Sequence, residues 1–248
     1  MVPMRCVAIA LAVSAIAANA QTAPARFSLI LNGRKIGTAT YQFKQEKHGF
    51  RVTANYLFSI GSTDSDCMRI GDLGLDYDLK SDALAARVNG VSQQLKITAN
   101  EKAKKFDYSL TQSREQANKS FDLHPRTVVL NNFDPSGVQE LIDMAATQPA
   151  STQDYWALLA QGRGIEVPIT LEPAAPAEGS LNGANLALKH WKVTIGEVEM
   201  DIWADQKNEL MEAGVSSPSL AYIREGFALD LGALAGLRAS NSLKQTAS

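Results

Sequence analysis

FSLILNGRKIGTATYQFKQ, residues 27–45, and GFRVTANYLFS, residues 49–59, together predict three consecutive strands of an antiparallel meander. The first two strands meet at Asn32-Gly33, because a two-residue turn with positive φ at both positions favours Asn followed by Gly. Apolar and polar side chains then alternate along both segments, which is typical of a half-buried strand. The apolar face carries Ala39, Tyr41, Phe43, Phe50, Val52, Ala54, Tyr56 and Phe58. We therefore expect the chain to fold around a sheet with one apolar face.

The same alternation recurs along most of the chain. Asn89-Gly90 predicts a second hairpin, and the pattern of Asp72 to Lys80 predicts a strand with one wet face. Strands resume at Gly164, and the Pro, Ala and Gly residues of Pro173 to Gly183 predict an exposed loop. Regular strand spacing with short turns indicates an antiparallel architecture. The predicted fold class is mainly β, a strongly curved antiparallel meander or half-barrel that wraps one or two short helices.

A helical insert at about 134–161 interrupts the strands. Asp134 is the predicted N-cap and Pro135 the first helical residue, and the apolar stripe comprises Val138, Leu141, Ile142 and Ala145. A second short helix is predicted over 151–161, with Tyr155, Leu158 and Leu159 facing inward. Both helices need an apolar surface, and the apolar face of the sheet is the large one. Phe227 to Leu237 is read either as a docked helix or as a loose tail.

Both ends of the chain are predicted to lie outside the folded domain. Residues 1–20 combine a positive charge, an apolar run and Ala18-Asn19-Ala20, which is the pattern of a secretory signal peptide cleaved near Ala20. The apolar run is too short for an ordinary transmembrane helix, and no later stretch is long enough. We expect one domain over 21–238, a disordered tail over 239–248, no transmembrane segment in the mature chain, and a periplasmic or secreted protein.

Composition excludes some classes of function. The 248 residues include 24 Lys and Arg against 26 Asp and Glu, a net charge of −2, so no basic surface for nucleic acid is expected. Removal of the signal peptide leaves Cys67 as the single cysteine, which cannot form an internal disulfide. A small residue packed in a strand is the favoured interpretation of Cys67, and a reactive thiol is the alternative.

No sequence motif for catalysis, phosphate binding or zinc binding is present. His48, His124 and His190 lie far apart and lack neighbouring ligands, so neither a metal site nor a cofactor is predicted. Asp64, Asp66, Asp72, Asp76 and Asp78 share one parity, as do Glu197, Glu199 and Asp201. Two neighbouring strands would bring such carboxylates together, as a glycosidase or a calcium site requires. A solvated sheet face explains the same alternation and is favoured.

The aromatic residues offer a different kind of site. The predicted ligand-binding residues are Tyr41, Phe43, Tyr56, Phe58, Tyr77, Leu141 and Tyr155. They either line a pocket for an apolar ligand or form the core beneath the helices. Trp203 shares its parity with Glu197, Glu199 and Asp201, which places it near a polar face or a sheet end, and an exposed Trp there would indicate a contact surface.

Four segments also resemble a bacterial family of exported proteins that is defined only as a domain of unknown function. They are FSLILNGRKIGTATYQF at 27–43, VVLNNFDPSGVQELIDM at 128–144, IEVPITL at 165–171 and KHWKVTIGEVEMDIWADQKNELMEAGV at 189–215. The resemblance spans most of the mature chain and implies a curved antiparallel half-barrel that clasps helices, similar in shape to periplasmic lipoprotein carriers. It carries over no catalytic residue.

Three functions remain open at this point. The first is an exported envelope protein that binds an apolar or amphiphilic ligand, such as a lipid or acyl chain, without catalysis. The second is a hydrolase of envelope glycans or lipids that uses two carboxylates among Asp64, Asp66, Asp76, Asp78 and Glu199. The third is a scaffold that binds another envelope protein through an edge strand or Trp203.

Overall fold

The structure is a computed structural model that describes residues 24–147, 151–160, 164–216 and 219–230. Strands dominate the described residues, and they are accompanied by one α-helix. In chain order the elements are β1 Ala25–Leu31, β2 Arg34–Glu46, β3 Gly49–Ile60, β4 Thr63–Leu73, β5 Leu79–Val88, β6 Val91–Asn100, β7 Lys105–Gln112, β8 Glu115–Asp122, β9 Thr127–Leu130, α1 Ser136–Ala145, β10 Gln153–Leu159, β11 Ile165–Pro173, β12 Ala177–Leu181, β13 Ala184–Ile195, β14 Val198–Ala204, β15 Leu210–Ser216, β16 Ser219–Arg224 and β17 Phe227–Leu229.

Backbone pairing joins these strands into one sheet. Following the hydrogen-bonded pairs, the order is β8, β7, β6, β5, β4, β3, β2, β1, β16, β15, β14, β13, β11, β10 and β9. The short strand β12 pairs with the first half of β13 and with β17. Neighbours run antiparallel, except that β9 and β10 run parallel because α1 connects them. The predicted fold class, a mainly β and curved antiparallel architecture, is confirmed.

Strand β1 joins the two halves of the sheet. One of its edges pairs with β2 and the other with β16, so the strands before and after α1 belong to the same sheet. Phe27 of β1 is fully buried, and its ring stacks on Tyr41 of β2 with 5.4 Å between centroids. Strand β1 therefore pairs with β2, which follows it directly, and with β16, which lies almost 200 residues later in the sequence.

The sheet curls until its two ends approach each other. Lys119 on β8 donates to the carbonyl oxygen of Gly164, just before β11, at 3.2 Å. His124 Nε2 lies 3.0 Å from Glu166 Oε1, and the His124 ring stacks on Trp156 of β10 at 4.0 Å. Side chains, not a continuous ladder, connect these ends. The sheet is therefore a strongly curved open structure with a concave interior.

Helix α1 occupies the concave interior. Nine of its ten residues are buried, Asp143 being the exception. Its apolar stripe packs into a core built from both halves of the sheet, as predicted from Val138, Leu141, Ile142 and Ala145. Because the sheet surrounds the helix, the polar residues Gln139 and Glu140 are buried as well. Among the described residues, no helix is both long and apolar enough to cross a membrane.

The predicted hairpin turns are correct. Asn32 and Gly33 have φ of 50° and 74°, and Asn89 and Gly90 have φ of 48° and 81°. Both pairs have the left-handed backbone that two-residue hairpins of this kind require. The inward positions of β2 and β3 are also as predicted: Ala39, Tyr41, Val52, Ala54 and Tyr56 are buried, with Phe43, Phe50 and Phe58 half-buried.

The predicted second helix is wrong. Its central residues form strand β10, which pairs with β9 on one side and with β11 on the other. The segment contains apolar residues at both helical and alternating positions, so periodicity alone does not separate the two states. Strands β9 and β11 each present a backbone edge whose N–H and C=O groups need partners, and pairing with both edges makes this segment a strand. Tyr155 still faces the core, but the helical insert shrinks from 134–161 to Ser136–Ala145.

Three further segments differ from the predictions. Asp72 to Lys80 is not one strand, because residues 74–78 turn between β4 and β5 and Tyr77 has φ of 64°. Pro173 to Gly183 contains β12, which a turn at Asn182-Gly183 links to β13. Phe227 to Leu237 begins with the short strand β17 rather than a helix. Residues 231–237, the predicted signal peptide over 1–20 and the predicted tail over 239–248 all lie outside the described residues.

The close approach of α1 to β9 gives a first testable prediction. A Cβ added at Gly137 would lie 2.4 Å from the carbonyl oxygen of Val129, which the β9 backbone cannot move without breaking its pairing. Alanine in a helix normally stabilises by about 1 kcal/mol over glycine. We expect the opposite sign here: overpacking in Gly137→Ala should lower the free energy of unfolding by about 1–3 kcal/mol, measured by denaturant titration.

Gly214→Ala is the matched control. A Cβ at Gly214 meets no atom closer than 3.5 Å, so this variant should unfold at the same denaturant concentration as the wild type or at a higher one. Equal behaviour of the two variants would contradict the packing of α1 on β9.

Candidate functional site

A buried ionic cluster fixes α1 against the sheet. Arg69 on β4 is 1% exposed, and its Nε and Nη2 atoms both lie 2.7 Å from Asp82 Oδ2 on β5. The same guanidinium reaches the helix, with Nη2 at 2.8 Å from Glu140 Oε1 and Nη1 donating to Ser136 Oγ at 2.8 Å. Asp134 Oδ2 lies 3.5 Å from Nη1 of Arg69. One side chain thus connects two strands with the first turn of the helix.

Asp134 also organises the start of α1. Its Oδ1 accepts hydrogen bonds from the Ser136 backbone N–H at 2.9 Å and from Ser136 Oγ at 2.6 Å. Pro135 occupies the cap position, one residue later than predicted, and provides no side-chain cap. The carboxylate of Asp134 therefore satisfies a free N–H of the first turn while facing the guanidinium of Arg69.

The cluster contains three carboxyl groups and one guanidinium. Burial lowers the pKa of Arg69, but Asp82, Glu140 and Asp134 more than compensate and raise it, so Arg69 remains charged. Burial raises the pKa of Glu140 to about 8, against the opposing effect of Arg69. Burial likewise raises the pKa of Asp82. Because one cation cannot balance three anions in a dry site, Glu140 holds a proton at neutral pH.

An apolar groove opens on the concave face beside this cluster. It has a volume of about 350 Å³. One wall is formed by strands β3 to β7 and the other by residues 131–133, which lead into α1. We call this feature the apolar groove, and its apolar lining comprises Tyr56, Phe58, Cys67, Leu84, Ala86, Val88, Leu95, Leu110, Phe133 and Ala160. Burial raises the pKa of Cys67 to about 11, so the thiol is neutral and adds to the apolar lining.

The residue 131–133 wall is held in an unusual conformation. Phe133 has φ of 70°, which is rare for a bulky side chain. Its ring packs on Phe58 with 4.2 Å between centroids, and its backbone N–H donates to the Tyr222 hydroxyl at 3.3 Å. Asn131 donates its side-chain amide to the Tyr56 hydroxyl. Three aromatic side chains therefore hold this wall in place over the groove.

The seven predicted ligand-binding residues do not form one site. Tyr56 and Phe58 line the apolar groove. Tyr41 and Phe43 face a separate, more polar cavity. Leu141 and Tyr155 are 1% exposed and belong to the core, while Tyr77 is half-buried and stacks on Phe50 at 4.6 Å. All seven lie in or against the same core cluster, which agrees with the two interpretations given for them.

Four of the five carboxylates proposed for a hydrolase lie on exposed surface. Asp64, Asp66, Asp76 and Glu199 are exposed. Asp78 is half-buried and accepts a hydrogen bond from the Arg126 backbone at 3.1 Å. None of the five lines the apolar groove, whereas Asp64 and Asp66 both line a separate, open cavity of about 450 Å³ that also contains Arg87. A solvated face, the favoured interpretation of their alternation, describes the four exposed residues.

Trp203 and His190 are buried and pack against each other. Trp203 is 6% exposed, and its ring stacks on His190 at 4.9 Å. Trp203 lies on the predicted face of β14, but β12 and β17 cover that face and bury it beside Leu188 and Phe227. Trp203 is therefore not the exposed contact residue that the scaffold hypothesis requires. In the described part of the chain, no group of three or more His, Cys, Asp or Glu side chains is arranged to hold a metal ion.

Sequence reasoning missed Arg69 and Asp82, although the alternation contained a signal. Arg69 has the parity of the buried residues Cys67 and Leu73, and Asp82 has the parity of Leu84. A charged residue at an inward position requires a buried partner. Gly71 gives the pair its space, because a Cβ there would lie 3.0 Å from Asp82 Oδ2.

Comparison with known proteins supports the fold and leaves the function open. No protein-family model matches the chain, and no curated protein matches its sequence. A beta-barrel-like protein of the domain of unknown function DUF1849 from Brucella abortus is similar in structure, with a TM-score of 0.56 and 8% identity, over 83% of this chain and 96% of that one. A DUF1089 family protein from Pseudomonas aeruginosa has a TM-score of 0.46 and 7% identity, over 70% and 87% of the two chains. The first likeness shows a shared fold alone.

The protonated Glu140 makes stability depend on pH. Its pKa rises from about 4.5 in an unfolded chain to about 8 in the fold, so the native state binds the extra proton between these values. This contribution to stability is complete below about pH 4.5 and is lost as the pH rises through about 8. Glu140→Gln cannot ionise. We therefore expect the variant to lose less stability than the wild type between about pH 5 and about pH 9, by on the order of a few kcal/mol, in urea unfolding curves.

Glu199→Gln is the control, because Glu199 is exposed and lies outside the cluster. Its stability profile should follow the wild type. A Glu140→Gln profile parallel to the wild type at every pH would show that Glu140 is ionised throughout.

Proposed function

We propose that the protein is a noncatalytic binding protein whose apolar groove holds an apolar or amphiphilic small molecule, such as a lipid or an acyl chain. The observation that carries this proposal is the groove itself. It is a concavity of about 350 Å³, within the range of small-molecule sites, lined by aromatic and aliphatic side chains and by a neutral thiol. Apolar surface of this kind gains free energy when a ligand removes it from water.

The distribution of polar groups favours an amphiphile. Asn132 and Gln112 line the groove and are exposed, while Gln93 is half-buried. Neutral amides at the mouth can donate to or accept from a polar head group, and the aromatic interior takes the apolar part. The groove-lining residues include no Asp, Glu, Lys or Arg. The ligand is therefore proposed to have a neutral or weakly polar head.

The conformation of Phe133 supports the same proposal. Left-handed backbone at a bulky residue costs on the order of 1–3 kcal/mol and is found preferentially at ligand clamps and switch regions. At Phe133 this conformation keeps the ring against Phe58, at one wall of the groove. The wall is thus pre-arranged, which lowers the ordering cost of binding.

An envelope location belongs to the proposal. It rests on the signal-peptide pattern of residues 1–20, and a periplasmic or secreted carrier of lipids would fit the proposed ligand class. Mass spectrometry of the protein purified without detergent from its native host tests both parts. The mature N-terminus should follow Ala20, and a copurified lipid or fatty acid should be released on denaturation. A delipidated sample whose melting temperature no lipid or fatty acid raises would contradict the binding function.

A substitution that fills the groove gives a sharper test. Ala86 on β5 lines the apolar groove and packs against the core cluster. Ala86→Trp should occupy part of the cavity and weaken the binding of a long-chain fatty acid by about tenfold or more, because the ligand and the indole compete for the same space. Displacement of an environment-sensitive fluorescent fatty acid measures this loss, and circular dichroism confirms that the variant is folded.

Ala85→Trp provides a matched control on the next residue of β5. Ala85 is exposed on the opposite face of the sheet and does not line the groove. Its affinity for the fatty acid should equal that of the wild type. Equal affinity in Ala86→Trp, or an equal loss in both variants, would place the binding site elsewhere.

A further inference from the structure

A second cavity lies beside the middle and last turns of α1, apart from the apolar groove. It has a volume of about 380 Å³ and shares no lining residue with the groove. We call it the Asp143 pocket. Its walls include Tyr41 and Phe43 from β2, Gln139 and Asp143 from α1, Glu209 from the turn before β15, and Arg224 from β16. Both halves of the sheet and the helix thus contribute to it.

Gln139 holds the polar side of the pocket rigid. Its Oε1 accepts from the Tyr41 hydroxyl at 2.8 Å and from the Leu210 backbone N–H at 2.9 Å. Its Nε2 donates to Asp143 Oδ1 at 2.9 Å and to the Asn208 carbonyl at 2.8 Å. Because its side chain makes four hydrogen bonds and is 6% exposed, Gln139 positions Asp143 and is not itself available to a ligand.

The charges in the pocket are not balanced. Arg224 Nη1 donates to Glu209 Oε2 at 2.6 Å, so the single cation of the pocket already has a partner. Asp143 remains as a second carboxyl group. Among the described residues, Asp143 Oδ2 and Glu209 Oε1 accept no hydrogen bond. When Asp143 is ionised, two carboxylates face one guanidinium and the pocket carries a net negative charge.

The protonation of Asp143 reflects this surplus. Burial raises its pKa, the hydrogen bond from Gln139 lowers it and the Glu209 carboxylate raises it, with a net pKa of about 7. Tyr41 and Tyr77 are the other titratable groups that interact with Asp143, and both have raised pKa values, so they stay neutral. Near neutral pH, Asp143 is thus divided between its acid and its carboxylate form.

We propose that the Asp143 pocket binds a small organic cation, a primary ammonium on an apolar body. The ammonium donates to the free oxygens of Asp143 and Glu209, and the body contacts Tyr41 and Phe43, whose rings pack edge to face at 5.8 Å. Aromatic faces attract cations, and carboxylates are the natural acceptors for an ammonium group. An anion would find Arg224 already paired with Glu209 and would meet the negative charge of ionised Asp143, and a neutral ligand would gain nothing from that ionisation.

Three probes with the same carbon chain separate these classes: butylammonium, butyrate and butanol. We expect butylammonium to bind most tightly in isothermal titration calorimetry. Its affinity should rise about tenfold between about pH 6 and about pH 8, because the ionised fraction of a carboxyl group with a pKa of about 7 rises by that factor. NMR should locate the probe through shifts of the Gln139 side-chain amide. Butyrate or butanol binding as tightly as butylammonium would overturn the proposal.

Substitution completes the test. Asp143→Asn should abolish the pH dependence and weaken butylammonium binding by about tenfold or more. Asp154→Asn, which alters an exposed carboxylate that bonds Thr170 Oγ1 at 3.1 Å, should bind like the wild type. Undiminished binding by Asp143→Asn would refute the site. Ala86→Trp, which blocks the apolar groove, should leave butylammonium binding intact, so this proposal and the proposed function fail independently.

Discussion

The concave side of the molecule depends on the burial of one guanidinium group. Arg69 interacts with the carboxyl groups of Asp82 on β5, of Asp134 just before α1 and of Glu140 within α1. Its side chain is almost inaccessible to water. Removing one partner of such a buried ion pair costs about 3–5 kcal/mol, because an uncompensated charge remains in the interior. The close approach of Gly137 to Val129 and the hydrogen bonds of Gln139 to Tyr41 and to the Leu210 backbone act together with the ionic cluster. These contacts set the position of α1 along the strands and its rotation about its axis.

That position determines both cavities. The segment preceding the helix starts from β9 and must reach Asp134, so residues 131–133 lie over the sheet and form one wall of the apolar groove. Gln139 and Asp143, on a neighbouring face of the helix, line the second cavity. Of the described residues that line the apolar groove, none belongs to α1. Strand β3 and Phe133 supply the aromatic side chains of the groove, and β2 supplies those of the pocket. The contrast in chemistry therefore follows from residues that line the pocket alone, namely Gln139, Asp143, Glu209 and Arg224.

Local signals in the sequence predicted much of the fold but little of the site. Asn32-Gly33 and the alternation in β2 and β3 predicted the turns and the buried faces, because these depend on neighbouring residues. Strand β10 was predicted as a helix because its state depends on pairing with β11 and with β9, and β9 lies on the other side of α1 in the sequence. The aromatic residues were correctly expected in the interior, yet nothing local assigns Tyr56 to the groove and Tyr155 to the core. Arg69 was predictable as a buried charge from its parity, whereas its partner Glu140 depended on the placement of α1.

A shared fold at 8% identity leaves the side-chain chemistry of any cavity free to vary. A curved sheet always has a concave face, but an apolar chain segment placed there tends to collapse onto it and fill the space. In this protein the wall of the groove is held by the ring contact of Phe133 with Phe58 and by the hydrogen bonds of residues 131 and 133 to two tyrosine hydroxyls. Asp134, the next residue, joins that wall to Arg69. Apolar surface that stays open to water is unfavourable for the empty protein, and the proposed ligand would remove this cost by covering it.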